Sequence, residues 1–356
     1  MAMYIKGMGN ISPQQTWGKP DFDKEVTNHT GNWLRCLEPE YEQWIDGRAL
    51  RRMSRILRMG IASAIMALKD AGIERPDGII TGTGFGCLED TGTFLAGMID
   101  KHEQNLNPTP FIQSTHNTIG SQIALMLNCY GYNQTYTHDA FSFESALMDA
   151  LMSSTEHLDR HLLVGGVDEV TEFSHSIHSR FGIFRKNQKS NLDLFSASQK
   201  GTVHGEGATW FACSGRQDAE DKACVEAVTT LYKPDAEALG EGIDDFMHAI
   251  HKRPADIDML LLGKSGDVQF DKTISEIAHK KFGASTQGVF KHLCGEYPVA
   301  SAFALWLAAS MLHTGRIPES VAIRSDRSPL KNILIFNQYF GTHYSLILVR
   351  SCRDMA

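Results

Sequence analysis

The stretch "THDAFSFESALMDALM", residues 137–152, has the layout of a strand end, a sharp turn and a helix start. Such an elbow presents a nucleophile at a helix N-terminus, where the dipole lowers a thiol pKa and free amides can hold an oxyanion. No cysteine stands in it. Asp139 and Ser142 read more simply as helix N-caps, worth ~1 kcal/mol, than as substitute reactive groups. Glu144 reads as a first-turn acid favoured by the dipole. His116, His138 and His204 flank neighbouring segments, but no pair has the spacing of a metal site on one helix, and no metal is expected. Arg48, Arg51, Arg52 and Arg55 form a stripe on a basic amphipathic helix, with Leu50, Met53 and Leu57 on its other side. That stripe reads as a solvated face or as a dock for an acidic partner, with "FRKNQK" at 184–189 as a competing docking loop. "GTGFGC" at 82–87 lacks the third Rossmann glycine and the lysine and hydroxyl of a phosphate loop, so it reads as a tight turn.

The elements around these residues alternate. "DGIITGTGFG" precedes a helix near 88–103, and "HLLVGGVDEV" follows the helix of the elbow. The second half repeats the theme, with helices near 234–252, 271–282 and 296–313 and a closing pair of strands around "NILIFNQYFGTHYSLILV". With 356 residues, 42% hydrophobic and 31 of them glycine, the chain can bury a large core and reads as two α/β halves, 1–215 and 216–356. A net charge of −8 argues against nucleic acid. Seven scattered cysteines with no C-x-x-C pair suggest a reducing compartment. "MAMYIKGMGN" has no basic region followed by an apolar core, and "SAFALWLAASML" is too short to span a bilayer, so the expectation is a cytoplasmic protein without membrane insertion.

Five segments in register resemble a β-ketoacyl synthase, a condensing enzyme of the thiolase fold. They are "RRMSRILRMGIASAIMALKDAGI", "GTGFGCLEDT", "NTIGSQIAL", "LLVGGVDEV" and "GTVHGEGATWFACS". The resemblance implies two similar halves with mixed five-stranded sheets in a layered α-β-α-β-α arrangement. It also implies a catalytic cysteine at the elbow and two histidines that assist malonyl decarboxylation. The motif alignment puts Ala140 at the cysteine, with Phe141 beside it, and Gly263 and Lys264 at the first histidine and its following glycine. In "QGVFKHLCGEYP" the second histidine is kept as His292, with Gly295, while Gln287 replaces the family's lysine and Lys291 a glycine. "YFGTH" is a short form of the terminal glycine loop, with Phe340 and Gly341 its remnants; with Phe141 these are expected at an acyl pocket or gate.

A chain with the elbow but not its sulfur is similar to chain-length-factor subunits, which pair with a catalytic ketosynthase in polyketide, aryl-polyene or flexirubin-type pathways. Those subunits often carry glutamine where this chain has alanine. The resemblance implies a ketosynthase partner, an acyl carrier protein docking on Arg48, Arg51, Arg52 and Arg55, a homo- or heterodimer, and no cofactor. Two alternatives stay open: a divergent 3-oxoacyl-carrier-protein synthase or acyltransferase using another residue, and a homodimeric acyl-binding protein.

Overall fold

The computed structural model describes residues 2–17, 25–196, 199–324 and 330–353. Its strands are β1 (Met3–Ile11), β2 (Gly78–Gly82), β3 (Tyr132–Tyr136), β4 (Leu162–Asp168), β5 (Gly207–Ser214), β6 (Ala223–Tyr232), β7 (Met259–Gly263), β8 (Thr286–Val289), β9 (Ala322–Arg324), β10 (Asn332–Tyr339) and β11 (His343–Arg350). Its helices are α1 (Gly47–Leu50), α2 (Arg55–Ala71), α3 (Leu88–Asp100), α4 (Pro108–Gln113), α5 (Thr118–Met126), α6 (Ser142–Glu156), α7 (Glu172–Arg180), α8 (Ala236–Ala249), α9 (Val268–Phe282), α10 (Lys291–Cys294) and α11 (Ala300–Thr314).

The strand order, β3-β2-β4-β5-β1-β6-β11-β10-β7-β8-β9, contains the same pattern twice. In the first five strands β1 and β5 are antiparallel, as are β5 and β4, while β4, β2 and β3 run parallel. β6, β11, β10, β7 and β8 repeat that sequence of pairings, and β9 adds a short edge. The two five-stranded sets join only where Met3–Ile5 pair with Ala223–Val225.

Burial explains the layering. α11 is apolar on all sides, and Phe303, Leu305, Leu307 and Ala308 are buried within one core with Phe143 and Leu147 of α6. A helix hydrophobic all round must be enclosed, so α6 and α11 form the middle layer. α2 covers the outer face of β1 and β5. It lies so close that a Cβ on Gly9 would stand 2.0 Å from the Ser63 carbonyl oxygen. α8 and α9 cover β7, β10 and β11 on the far side. Among the described residues no helix is long and apolar enough to cross a membrane.

Two sequence expectations shift. The helix expected from 271 begins at Val268, because the Asp267 carboxylate accepts from Gln269 N (2.8 Å) and caps it earlier. The arginine stripe is not one helix: α1 ends at Leu50, the chain turns, and α2 starts at Arg55. Arg48, Arg51 and Arg52 are exposed on the first piece. Arg55 turns inward instead, and its guanidinium donates to both Glu206 oxygens (2.6 and 2.8 Å) and to Glu38 (2.5 Å) with its side chain 19% accessible. Three of its N–H groups are held by carboxylates and the side chain is largely buried, so Arg55 is not part of the exposed stripe. Arg185 of the competing loop is likewise buried, donating to Gly201 O, Gln188 Oε1 and Gly266 O.

Candidate functional site: an elbow without a nucleophile

β3 leads into a single turn of tight helix, Asp139–Phe141, and α6 begins at Ser142. Asp139 holds a left-handed conformation, φ 48°, which costs a non-glycine residue energy and marks a sharply set turn. The caps expected here do not form. Phe141 occupies the N-cap position, and no side chain caps the helix. Ser142 closes the turn instead: its hydroxyl donates to Asp139 O (2.7 Å) and accepts from His138 N (2.8 Å). Ala140 is buried one residue before that cap, so the last two residues ahead of the helix, alanine and phenylalanine, both lack a nucleophilic atom.

Phe141 is held by an aromatic set that the motif alignment did not show. Its ring meets His343 edge to face at 4.7 Å, and His343 in turn meets Tyr232 at 4.9 Å. His343 Nδ1 hydrogen-bonds the Thr342 hydroxyl (2.9 Å), and its Nε2 lies 3.9 Å from Asp139. Burial lowers the His343 pKa, against an upward pull from Asp139.

Facing the elbow, the loop after β10 carries Phe340 and Gly341, both at positive φ, 46° and 65°. Phe340 packs against Tyr339 and Phe270, and a Cβ on Gly341 would lie 2.8 Å from the Phe270 ring. Two amides beside the turn already have partners. Phe141 N donates to His138 O (2.9 Å), and Gly341 N to the side-chain oxygen of Gln338 (2.8 Å).

Gly263 ends β7 beside Asn337, its parallel partner on β10. A Cβ there would stand 2.1 Å from Asn337 Oδ1, so this position has no room for a histidine unless β10 moves. His292 is buried on α10 with its ring edge-on to Phe195 at 5.5 Å, and burial lowers its pKa to about 4, leaving it neutral. Beside it is a group that the sequence showed only as a replaced glycine. Lys291 is fully buried, and its ammonium donates to both oxygens of Glu296 (2.7 and 2.9 Å) and to Gln338 O. Gln338 thereby ties the ion pair to the Gly341 loop.

Around this centre lie carboxyls pushed toward neutrality. Glu144 has no exposure and accepts from the Ser345 hydroxyl (2.7 Å), and burial raises its pKa to about 7. At about pH 7 it carries only part of its charge, and so balances the dipole less than its place in the first turn led one to expect. Asp168 accepts from Thr83 Oγ1, Gly84 N and Phe85 N, and burial raises it to about 7 despite those bonds. These bonds build the glycine turn at 83–87, which packs on the elbow: a Cβ on Gly84 would lie 3.2 Å from Asp139 O. It is a structural turn with no space for a phosphate. Among the described residues no group of three or more histidine, cysteine or acidic side chains is placed to hold a metal ion.

The raised carboxyls give a signed prediction. A group that binds its proton more tightly when folded stabilises the fold below its folded pKa, and that stability fades as pH rises through it. Between about pH 6.5 and about pH 8, Glu144 should account for about 1 kcal/mol of lost stability. Glu144→Gln is therefore expected to show a smaller fall in melting temperature over that window than the wild type. Equal falls in both proteins would refute the assignment.

Residues 7–215 match the family model described as the β-ketoacyl synthase N-terminal domain. The chain belongs to the β-ketoacyl synthase family. No curated protein matches it in sequence. Solved structures match nearly end to end. The ishigamide ketosynthase/chain length factor is 17% identical, with 98% of this chain and 99% of that one covered at a TM-score of 0.78. A complex of the ketosynthase ApeO with its chain length factor ApeC, from Xenorhabdus doucetiae, is 15% identical, covering 99% and 98% at 0.78. A β-ketoacyl synthase from Burkholderia phymatum STM815 is 16% identical, covering 99% of each chain at 0.76. At these identities the likeness establishes the thiolase-like ketosynthase fold, within which this family member has an elbow with no thiol.

Proposed function

We propose that this chain is a noncatalytic, chain-length-factor-like subunit that pairs with an active ketosynthase during fatty-acid or polyketide-type chain elongation on an acyl carrier protein. The elbow carries the reading: Ala140 and Phe141 precede α6 where the family's thiol is required, and the Phe141 ring packs on His343. Two of the structural relatives are described as a ketosynthase with a chain length factor, which supports the pairing. Within this proposal Phe141, Phe340 and Gly341 form the gate, and residues 1–215 and 216–356 are the two halves. Arg48, Arg51 and Arg52 are the remaining carrier-protein contacts. Seven free cysteines, all buried, suit a reducing cytoplasm.

The partner face is the outer edge of β3, which among the described residues bonds only β2. An open edge beside exposed apolar residues is an aggregation hazard unless another chain covers it. Near it Tyr130 (85%) and Tyr132 (45%) are exposed, as is Leu125 (67%) of α5, which packs against β3. Co-expression with an active ketosynthase from the same host is expected to give a one-to-one complex that condenses acyl and malonyl carrier proteins. Leu125→Arg with Tyr130→Arg should abolish the complex and leave this chain folded. A monodisperse monomer that ignores the synthase, or a stoichiometric acyl adduct on the peptide spanning 137–152, would overturn the proposal.

A further inference from the structure

α7 is attached to the protein in an unusual way. None of its residues is buried, and its apolar side chains face outward: Phe173 is 73% exposed, and Phe181, just past its end, 71%. What the helix turns toward the body is imidazole. His175 stacks between Trp33 (5.0 Å) and Phe184 (5.8 Å), and its Nδ1 lies 3.0 Å from Nδ1 of His204. His204 is 1% exposed and stacks on Phe184 at 4.3 Å. His178 adds a third ring, 5.4 Å from His204 and 5.7 Å from Phe85. The cluster joins five separate segments: the loop at 32–34, the 83–87 turn, α7, the loop carrying Phe184 and the strand-like run at 202–206.

The hydrogen bonds fix the tautomers. His175 Nε2 lies 3.1 Å from Asn32 Oδ1 and 3.4 Å from Ser179 Oγ; the amide oxygen only accepts and the hydroxyl can do either, so a proton on Nε2 satisfies both. A neutral His175 then has a bare Nδ1, and the proton in the imidazole pair belongs to Nδ1 of His204. One added proton can be accommodated, because His175 could then donate to His204. A second cannot, since two N–H groups would face each other at 3.0 Å.

We infer that His175, His178 and His204 form an acid-released latch that holds α7 against the protein. The charged groups nearby leave the rings without a counter-charge that would favour holding protons. Glu172, on the same helix, raises the His175 pKa but is paired with Arg35, which itself lies over Trp33 at 4.3 Å. Glu206 is engaged by Arg55, Glu296 by Lys291, and the Arg185 guanidinium is bonded to Gly201, Gln188 and Gly266. The 83–87 turn contributes only Phe85 to the contact. Burial lowers the pKa of all three histidines, with the other imidazoles adding to the effect at His204. Bases that are harder to protonate when folded stabilise the latched form above their unfolded pKa, and that contribution is lost as pH falls below it.

The test is hydrogen exchange of the peptide spanning 171–181, corrected for the intrinsic pH dependence of exchange. Lowering the pH from about 7.5 to about 5 should reduce its protection at least about tenfold, the effect of one pKa unit or more. In His175→Phe/His204→Phe, which keeps the ring stack without the nitrogens, protection should change no more than about twofold over the same range. Unchanged protection in the wild type, or an equal loss in the double variant, would sink the latch. Should that variant fail to fold, imidazole nitrogen spectra of the wild type decide. The expected spectra show His204 protonated at Nδ1 and His175 at Nε2 near neutrality, with both becoming cationic as α7 opens. Rings that stay neutral while α7 opens would refute the inference.

Discussion

Lys291→Ala is expected to destabilise the protein by ~3–5 kcal/mol, the range for breaking a buried ion pair by removing one partner. The cost is not the attraction itself, which desolvation of two ions largely offsets. It comes from leaving Glu296 with no exposure and no cation, and Gln338 O without its ammonium donor. Glu296 can escape part of this by taking up a proton, since burial already raises its pKa while Lys291 pulls it back. The loss should therefore be larger near about pH 8 than near about pH 6, where the carboxyl is more readily neutralised. Replacing both partners, as Lys291→Met/Glu296→Leu, should recover most of the stability, because an apolar pair of similar volume leaves no charge stranded. Urea or thermal unfolding followed by circular dichroism measures all three proteins. A single variant within ~0.5 kcal/mol of wild type would mean that water reaches the pair.

The pair also shows where sequence reading stops. The fold was legible because it is local and repeated: glycine-ended apolar runs alternate with amphipathic helices, and the same order of pairings occurs twice along the sheet. The missing thiol was legible because an absence at a turn needs no knowledge of neighbours. Lys291 was visible as a replaced glycine, but its partner Glu296 shares no helix face with it, and only the fold carries Gln338, 47 positions away, to its ammonium. The arginine stripe misled for a related reason. Helical periodicity placed four residues on one face, but the break after Leu50 and the carboxylates of Glu206 and Glu38 turned Arg55 inward. Neither Glu206 nor His343 carried a signal on its own, since one sits in a glycine-rich run just before β5 and the other opens β11 after a shortened loop.

Neither Ala140→Cys nor Phe141→Cys is expected to turn this protein into a ketosynthase. A thiol at either position gains the helix dipole of α6 and could accept an acyl group slowly. Condensation then needs donors for the developing oxyanion and enolate, and two amides beside the site are already engaged. Phe141 N is bonded to His138 O and Gly341 N to Gln338, while His292 is buried against Phe195. Each missing preorganised donor typically costs ~10²–10³ in rate, so two would slow condensation by ~10⁴–10⁶. Restoring the first histidine does not help, because Gly263→His drives a Cβ into Asn337 and should lower stability without adding activity. Single-turnover assays with acyl and malonyl carrier proteins, run on wild type, each cysteine variant and each combined with Gly263→His, measure both steps by intact mass and product. Acylation without condensation is the expected pattern. Product from either single variant would show that the amides of the elbow and the Gly341 loop can exchange their internal bonds for a substrate, so that replacement of the thiol alone had silenced the site.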